Sequence, residues 1–233
     1  MSLLEFRDVE FKKGEPPTLA AVNFKLEPGD VVAAFGRSGS GKHELIQLAA
    51  GVLQPTRGKI LIEDPRPGEE LPMGYVLNEG GLINNMTLLD NAILPAVYHW
   101  LMPLDEARRK GAELFESFGL AREAGLRPAS VGHSARRLAQ IARALLVSPP
   151  LLVLDDPFEE VDAEAAQRIR GVLDGIRAER KAAVLIAAGN LGPYLSWATK
   201  FLWVRRGGVE VFEGRDALKS SDAADLKVFF WGD

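Results

Sequence analysis

Asp30–Val31–Val32–Ala33–Ala34–Phe35–Gly36–Arg37–Ser38–Gly39–Ser40–Gly41–Lys42–His43 is the stretch on which the fold turns. Its apolar half predicts a strand over Asp30 to Phe35, and a helix is expected to start near Lys42. The spacing G-x-x-x-x-G-K from Gly36 to Lys42 is the Walker A pattern, and strand–loop–helix is the context that pattern requires. Glycines let the backbone curl until successive N–H groups converge on phosphate oxygens. The helix N-terminus adds partial positive charge, and Lys42 reaches the β- and γ-phosphates. Gly36, Ser38, Gly39, Ser40, Gly41, Lys42 and His43 are thus candidate nucleotide contacts. The sequence has no G-x-G-x-x-G dinucleotide fingerprint.

The residue after the loop lysine is ordinarily Ser or Thr, whose hydroxyl ligates Mg²⁺. Here it is His43. Imidazole is a poor ligand for a hard, oxygen-seeking ion. Two readings stay open: the ring points aside, or it has a role of its own.

Outward from the loop, the first third reads as short strands, at Leu3 to Phe11, Ala20 to Leu26, Gly58 to Ile62 and Met73 to Leu77. Turn residues separate the early ones. Apolar residues at three- and four-residue spacing predict helices over Leu89–Trp100, Asp105–Phe118 and Ala135–Val147. A bare apolar run, Leu151 to Leu154, then ends at Asp155, as a buried parallel strand does. A helix (Ala163 to Glu179), a strand (Ala183 to Ala187) and a strand pair (Phe201 to Arg205, Gly208 to Phe212) follow. Strands alternating with helices give an α/β fold around a parallel core sheet. The helical middle reads as an insert.

The chain has 233 residues, 47% hydrophobic and 26% charged, a globular composition. No apolar run approaches the roughly 20 residues that span a bilayer. The N-terminal MSLLEFRDVE has no basic segment before an apolar one, so no signal peptide is expected. With no cysteine, disulfides and thiolate chemistry are out. The histidines at 43, 99 and 133 have no ligand spacing, which disfavours zinc. Net charge is −4 and no Lys/Arg stretch suggests a nucleic-acid groove. A cytoplasmic protein is expected, and any membrane role needs a partner.

Asp155, ending an apolar strand roughly a hundred residues after the loop, is placed to hold Mg²⁺ as a Walker B carboxylate does. At this point nearly the whole chain resembles the nucleotide-binding subunit of ABC transporters. Gly36 to Lys42 matches the phosphate loop, Gly74 to Asn78 the segment leading to the Q-loop, and Ile141–Ala142–Arg143–Ala144–Leu145 the helix after the signature. Leu154 to Pro157 matches Walker B, Val161–Asp162 the D-loop, and Val184 to Asn190 the strand leading to the switch histidine. Phe11 sits where that family stacks an aromatic on adenine. Ala135–Arg136–Arg137, Asp156–Pro157–Phe158 and Leu94–Pro95 resemble its MCE-associated branch, which moves phospholipids across bacterial envelopes.

The resemblance implies a P-loop NTPase (RecA-like) core over residues 1–233, with an N-terminal antiparallel β-region and a helical insert at about 79–147. It implies ATP and Mg²⁺ as cofactors, the latter with weakened coordination. It also implies a second nucleotide-binding domain, a membrane permease subunit whose coupling helices dock by the Q-loop, and a place on the inner face of the cytoplasmic membrane. An MCE-like lipid carrier is a further implied partner.

The departures fall on one class of residue. The catalytic glutamate is Asp156, shorter by about 1.5 Å, and misplacement by about 1 Å can cost on the order of 10²-fold in rate. The Q-loop glutamine is Asn78, and the switch histidine is Gly189. The signature reads Val131–Gly132–His133–Ser134–Ala135 or, one register earlier, Ser130 to Ser134; neither keeps its serine or its double glycine. Asp156 and Asn78 remain the candidate catalytic residues. Groups that bind nucleotide are kept, whereas groups that act on the γ-phosphate are changed. Losing one transition-state group typically costs roughly 10²- to 10³-fold, so impaired hydrolysis is expected. A slow transport ATPase using Asp156 as base and a non-hydrolysing scaffold are the alternatives. The arginines Arg122, Arg127, Arg136 and Arg137 read as a solvated surface, with a contact to a partner's acidic loop as the alternative. The apolar Val228–Phe229–Phe230–Trp231 reads as packing on the domain or docking across a dimer.

Overall fold

In chain order the elements are β1 (Leu4–Phe11), β2 (Leu19–Leu26), β3 (Val31–Phe35), α1 (Lys42–Ala49), β4 (Arg57–Ile62), β5 (Met73–Val76), α2 (Leu88–Tyr98), α3 (Leu104–Ser117), α4 (His133–Leu145), β6 (Leu151–Asp155), α5 (Ala163–Glu179), β7 (Ala183–Ala188), β8 (Lys200–Arg205), β9 (Gly208–Phe212) and α6 (Arg215–Lys219). The computed structural model describes residues 2–14, 16–63, 73–76, 78, 81–180, 182–221 and 226. Leu77, the start of the insert at 79 and the apolar Val228–Trp231 lie outside the described residues.

Strands β3, β6 and β7 are buried at every position, as near-continuous apolar runs in a parallel sheet covered on both faces must be. They lie in a six-stranded sheet of order β5-β6-β7-β3-β8-β9. All neighbours are parallel except β8 and β9. Period-two alternation sends Val31, Ala33 and Phe35 into one apolar layer, with Phe115, Ile141 and Ile169. Val32 and Ala34 enter the other, with Leu45 and Ile46 of α1. The same alternation puts Leu151 and Val153 in the α1 layer. The side chain two residues further on, Asp155, therefore faces α1.

A three-stranded antiparallel sheet, β2-β1-β4, covers the α1 side. Its register slips at Asp8, which takes a left-handed φ of 49°. Asn23 holds this bulge: its Oδ1 accepts from Asp8 N at 2.9 Å and its Nδ2 donates to Asp8 Oδ1 at 2.9 Å. Between β5 and β6 the chain is helical. The Thr87 hydroxyl caps α2 by accepting from Asp90 N at 3.0 Å. Fully buried Asn91 accepts from Ile83 N at 2.6 Å and donates to Ile83 O at 3.0 Å, pinning the loop before α2.

The strand and helix positions agree with the sequence reading to within one or two residues. Helix α2 stops at Tyr98 rather than Trp100, because Trp100 turns left-handed at φ 55°. Helix α4 starts two residues early, and α6 was not foreseen. Among the described residues no helix is long and apolar enough to cross a membrane.

Candidate nucleotide site

Strand β3 ends in the middle of the parallel sheet and delivers its loop to the head of α1. Gly36 is obligatory: a Cβ there would run into the Val204 carbonyl oxygen and lie 2.7 Å from Ser40 Oγ. Gly41 caps α1 at φ 101°, and a Cβ would press to 3.0 Å against Leu19 and Thr18. No side chain caps α1, so its first N–H groups point outward unused by the helix. Lys42 Nζ folds back to donate to Gly36 O at 3.3 Å. Ser40 Oγ is buried with no hydrogen-bond partner among the described residues. Arg37, Ser38 and Gly39 are exposed. Half-buried Phe11 ends β1 opposite Leu19, the residue against Gly41, so it lies one strand from the loop. An ion pair between exposed Lys13 and half-buried Glu44, at 4.0 Å, joins the end of this sheet to α1.

His43 does not point aside. Its Nδ1 lies 2.8 Å from Asp155 Oδ1 and 3.0 Å from Oδ2. A carboxylate only accepts, so Nδ1 carries the hydrogen. The bond to Asp155 raises the imidazole pKa above its ordinary value, and partial burial offsets part of the rise. Asp155 was expected to hold Mg²⁺. Instead its carboxylate, with its side chain 6% exposed, is covered by a ring that is 48% exposed. The donor set does not fit the ion: the hydroxyl is missing, a nitrogen replaces it, and that nitrogen occupies the carboxylate.

Asp156 follows at φ 45°, a left-handed conformation that Asp adopts more readily than most residues. Its Oδ2 accepts from Gly189 N at 2.7 Å, and its own N–H donates to Ala187 O at 3.0 Å. A Cβ at position 189 would fall 2.5 Å from that Oδ2. Burial pushes the Asp156 carboxyl above the ordinary carboxylate range, against the lowering effect of the Gly189 bond.

Asn78 is held from the other side. Arg137 Nη2 donates to Asn78 O at 2.9 Å and to Asn78 Oδ1 at 3.0 Å. The reading of Arg137 as part of a solvated surface is thereby corrected: it is 8% exposed. Helical phase was the available signal, because Arg137 precedes Ile141 by four residues and Ala144 by seven, on the buried stripe of α4. Burial lowers its guanidinium pKa. Arg136 reaches Pro128 O at 3.3 Å, while Arg122 and Arg127 are exposed. Asn78, Arg137, Gln140 and Glu159 line a cleft of about 660 Å³.

The segment read as the signature, Val131 to Ala135, sits at the head of α4, where Gly132 caps the helix without a side chain. Ser134 Oγ accepts from Asp162 N at 3.1 Å, and Asp162 Oδ1 caps α5 by accepting from Ala165 N at 2.8 Å. The Ser134 hydroxyl is thus engaged within its own chain.

The description of the ABC transporter family matches residues 19–159. A sulfate/thiosulfate import ATP-binding protein of Mesorhizobium japonicum is 34% identical over 66% of this chain and 46% of its own length. An intermembrane phospholipid transport system ATP-binding protein of Haemophilus influenzae is 29% identical over 69% of this chain and 64% of its own. The chain thus spans about half of the first relative and under two thirds of the second. A dimeric ATP-binding cassette solved with ADP and phosphate superposes with a TM-score of 0.79, at 24% identity, over 89% of this chain and 96% of that one; this likeness speaks to the fold. The family match covers more than half of the chain, and the chain belongs to the ABC transporter family as an ATP-binding domain.

Proposed function

We propose that this chain binds ATP at Gly36–Lys42 as the nucleotide-binding subunit of a transporter, and that it hydrolyses ATP poorly or not at all. Phe11 stacks on the base, and the loop and Lys42 hold the phosphates. These are ground-state contacts, and the chain keeps them. The Asp156–Gly189 bond carries the impaired-hydrolysis reading. Asp156 is the residue left to orient an attacking water, yet one of its oxygens is committed to backbone. At Gly189 there is no ring to meet the γ-phosphate. Asn78 is likewise held through its side-chain oxygen by Arg137. Chemistry that depends on about 1 Å of placement is not served by groups tied into the protein.

The cleft beside Asn78 is the docking place for a membrane permease subunit, and a second nucleotide-binding domain, identical or competent, closes the site. The chain works on the inner face of the cytoplasmic membrane, without nucleic acid. The phospholipid-related segments Leu94–Pro95, Ala135–Arg137 and Asp156–Phe158, and the likeness to a phospholipid transport protein, favour a lipid cargo with an MCE-like carrier.

The test is a titration of the purified chain with a fluorescent ATP analogue, beside steady-state phosphate release. Binding that Lys42→Ala weakens, with release near background, is the expected result. Sustained turnover abolished by Asp156→Asn would overturn the impaired-hydrolysis reading. Affinity unchanged by Lys42→Ala would favour a scaffold that does not use the loop.

A further inference from the structure

Resting on the reading of Gly36–Lys42 as a nucleotide site, we propose that this site takes its nucleotide as the metal-free triphosphate. The His43 ring stands on Asp155 where other phosphate-loop proteins place a divalent cation. The pairing is built into the fold. Strand phase turns Asp155 toward α1, and the head of α1 carries the ring that meets both of its oxygens at 2.8 and 3.0 Å. A cation would have to displace the ring before reaching the buried carboxylate. It would then find an imidazole where a hydroxyl oxygen is needed, and hard ions bind nitrogen donors poorly.

The remaining groups around the loop suit a bare anion. Among the described residues Lys42 makes one long hydrogen bond, 3.3 Å to Gly36 O, which leaves its ammonium available to a phosphate. The uncapped head of α1 presents N–H groups. Ser40 holds a buried hydroxyl with no partner among the described residues. The His43 N–H donated to Asp155 reduces the repulsion that this carboxylate would otherwise exert on the phosphates.

The experiment measures binding of N-methylanthraniloyl-ATP to the purified full chain in excess EDTA and in excess Mg²⁺ at matched ionic strength. The wild-type Kd is expected to agree within about threefold between the two conditions, or to be tighter in EDTA. His43→Ser, or His43→Thr as a second variant, frees Asp155 and restores a hydroxyl. Its binding is expected to become about tenfold or more tighter in Mg²⁺ than in EDTA. Wild-type binding that is about tenfold weaker in EDTA would overturn the metal-free inference and leave the nucleotide site standing. A folded wild-type chain that binds in neither condition would overturn both. The wild-type comparison decides the matter even if both variants misfold.

Discussion

Asp156 Oδ2 and Gly189 N are joined by a 2.7 Å hydrogen bond, and a Cβ on Gly189 would come within 2.5 Å of that oxygen. The candidate catalytic carboxylate and the glycine read at the switch position are therefore one local structure. Each is shaped to the other: a short carboxylate in a left-handed turn, and a glycine whose backbone meets it. Gly189→Ala should destabilise the fold by about 1 kcal/mol, the ordinary worth of a hydrogen bond. In an Asp156→Ala background the same change should cost close to nothing, since its opponent is gone. Urea unfolding of the four proteins of this double-mutant cycle measures the coupling. Equal costs in both backgrounds would mean the positions are independent.

Arg137→Ala should lower stability by about 1–3 kcal/mol, because it leaves the Asn78 carbonyl without its buried donor. Arg137→Lys should recover little of this, since an ammonium cannot reproduce the guanidinium fork. In a chain of 233 residues, thermal unfolding should register roughly 2–4 °C per kcal/mol.

Lys42→Ala should leave the melting temperature almost unchanged while weakening nucleotide binding by about tenfold or more, the worth of a hydrogen bond to a charged group. The lysine's long bond to Gly36 O contributes little to the fold. A large loss of stability with unchanged affinity would assign it a structural role instead.

The Asp162 carboxylate caps α5 and also lies beside Ser134, and these hydrogen bonds hold its pKa below the ordinary 3.8. A carboxyl with a lowered folded-state pKa contributes stability that is present above its unfolded value and lost as pH falls through the folded one. The stability advantage of wild type over Asp162→Ala should therefore be constant from neutral pH down to about 4 and shrink below it. Urea midpoints across an acid pH series measure this; an advantage that grows on acidification would contradict the assignment.

The parallel strands were legible because strands buried on both faces must be apolar throughout, and Leu151–Leu154 and Ala183–Ala187 are. The phosphate loop was legible because its glycines are demanded by backbone contacts such as Gly36 against Val204. The pairing of His43 with Asp155 was not, because the two lie 112 residues apart and only the phases of β6 and α1 together bring them face to face. Arg137 was misjudged from its charge, although its place on the apolar stripe of α4 was visible in the sequence. The left-handed turn at Trp100, which ends α2 early, has no marker in a residue type that seldom adopts it.

On the proposed reading the chain retains a nucleotide without cleaving it. The most direct test is to mix excess purified protein with radiolabelled ATP, with and without Mg²⁺, and to identify the bound nucleotide after acid quenching over hours. ATP should be recovered intact on the wild type, with little nucleotide on Lys42→Ala. Conversion to ADP within a single turnover, slowed by Asp156→Asn, would contradict it.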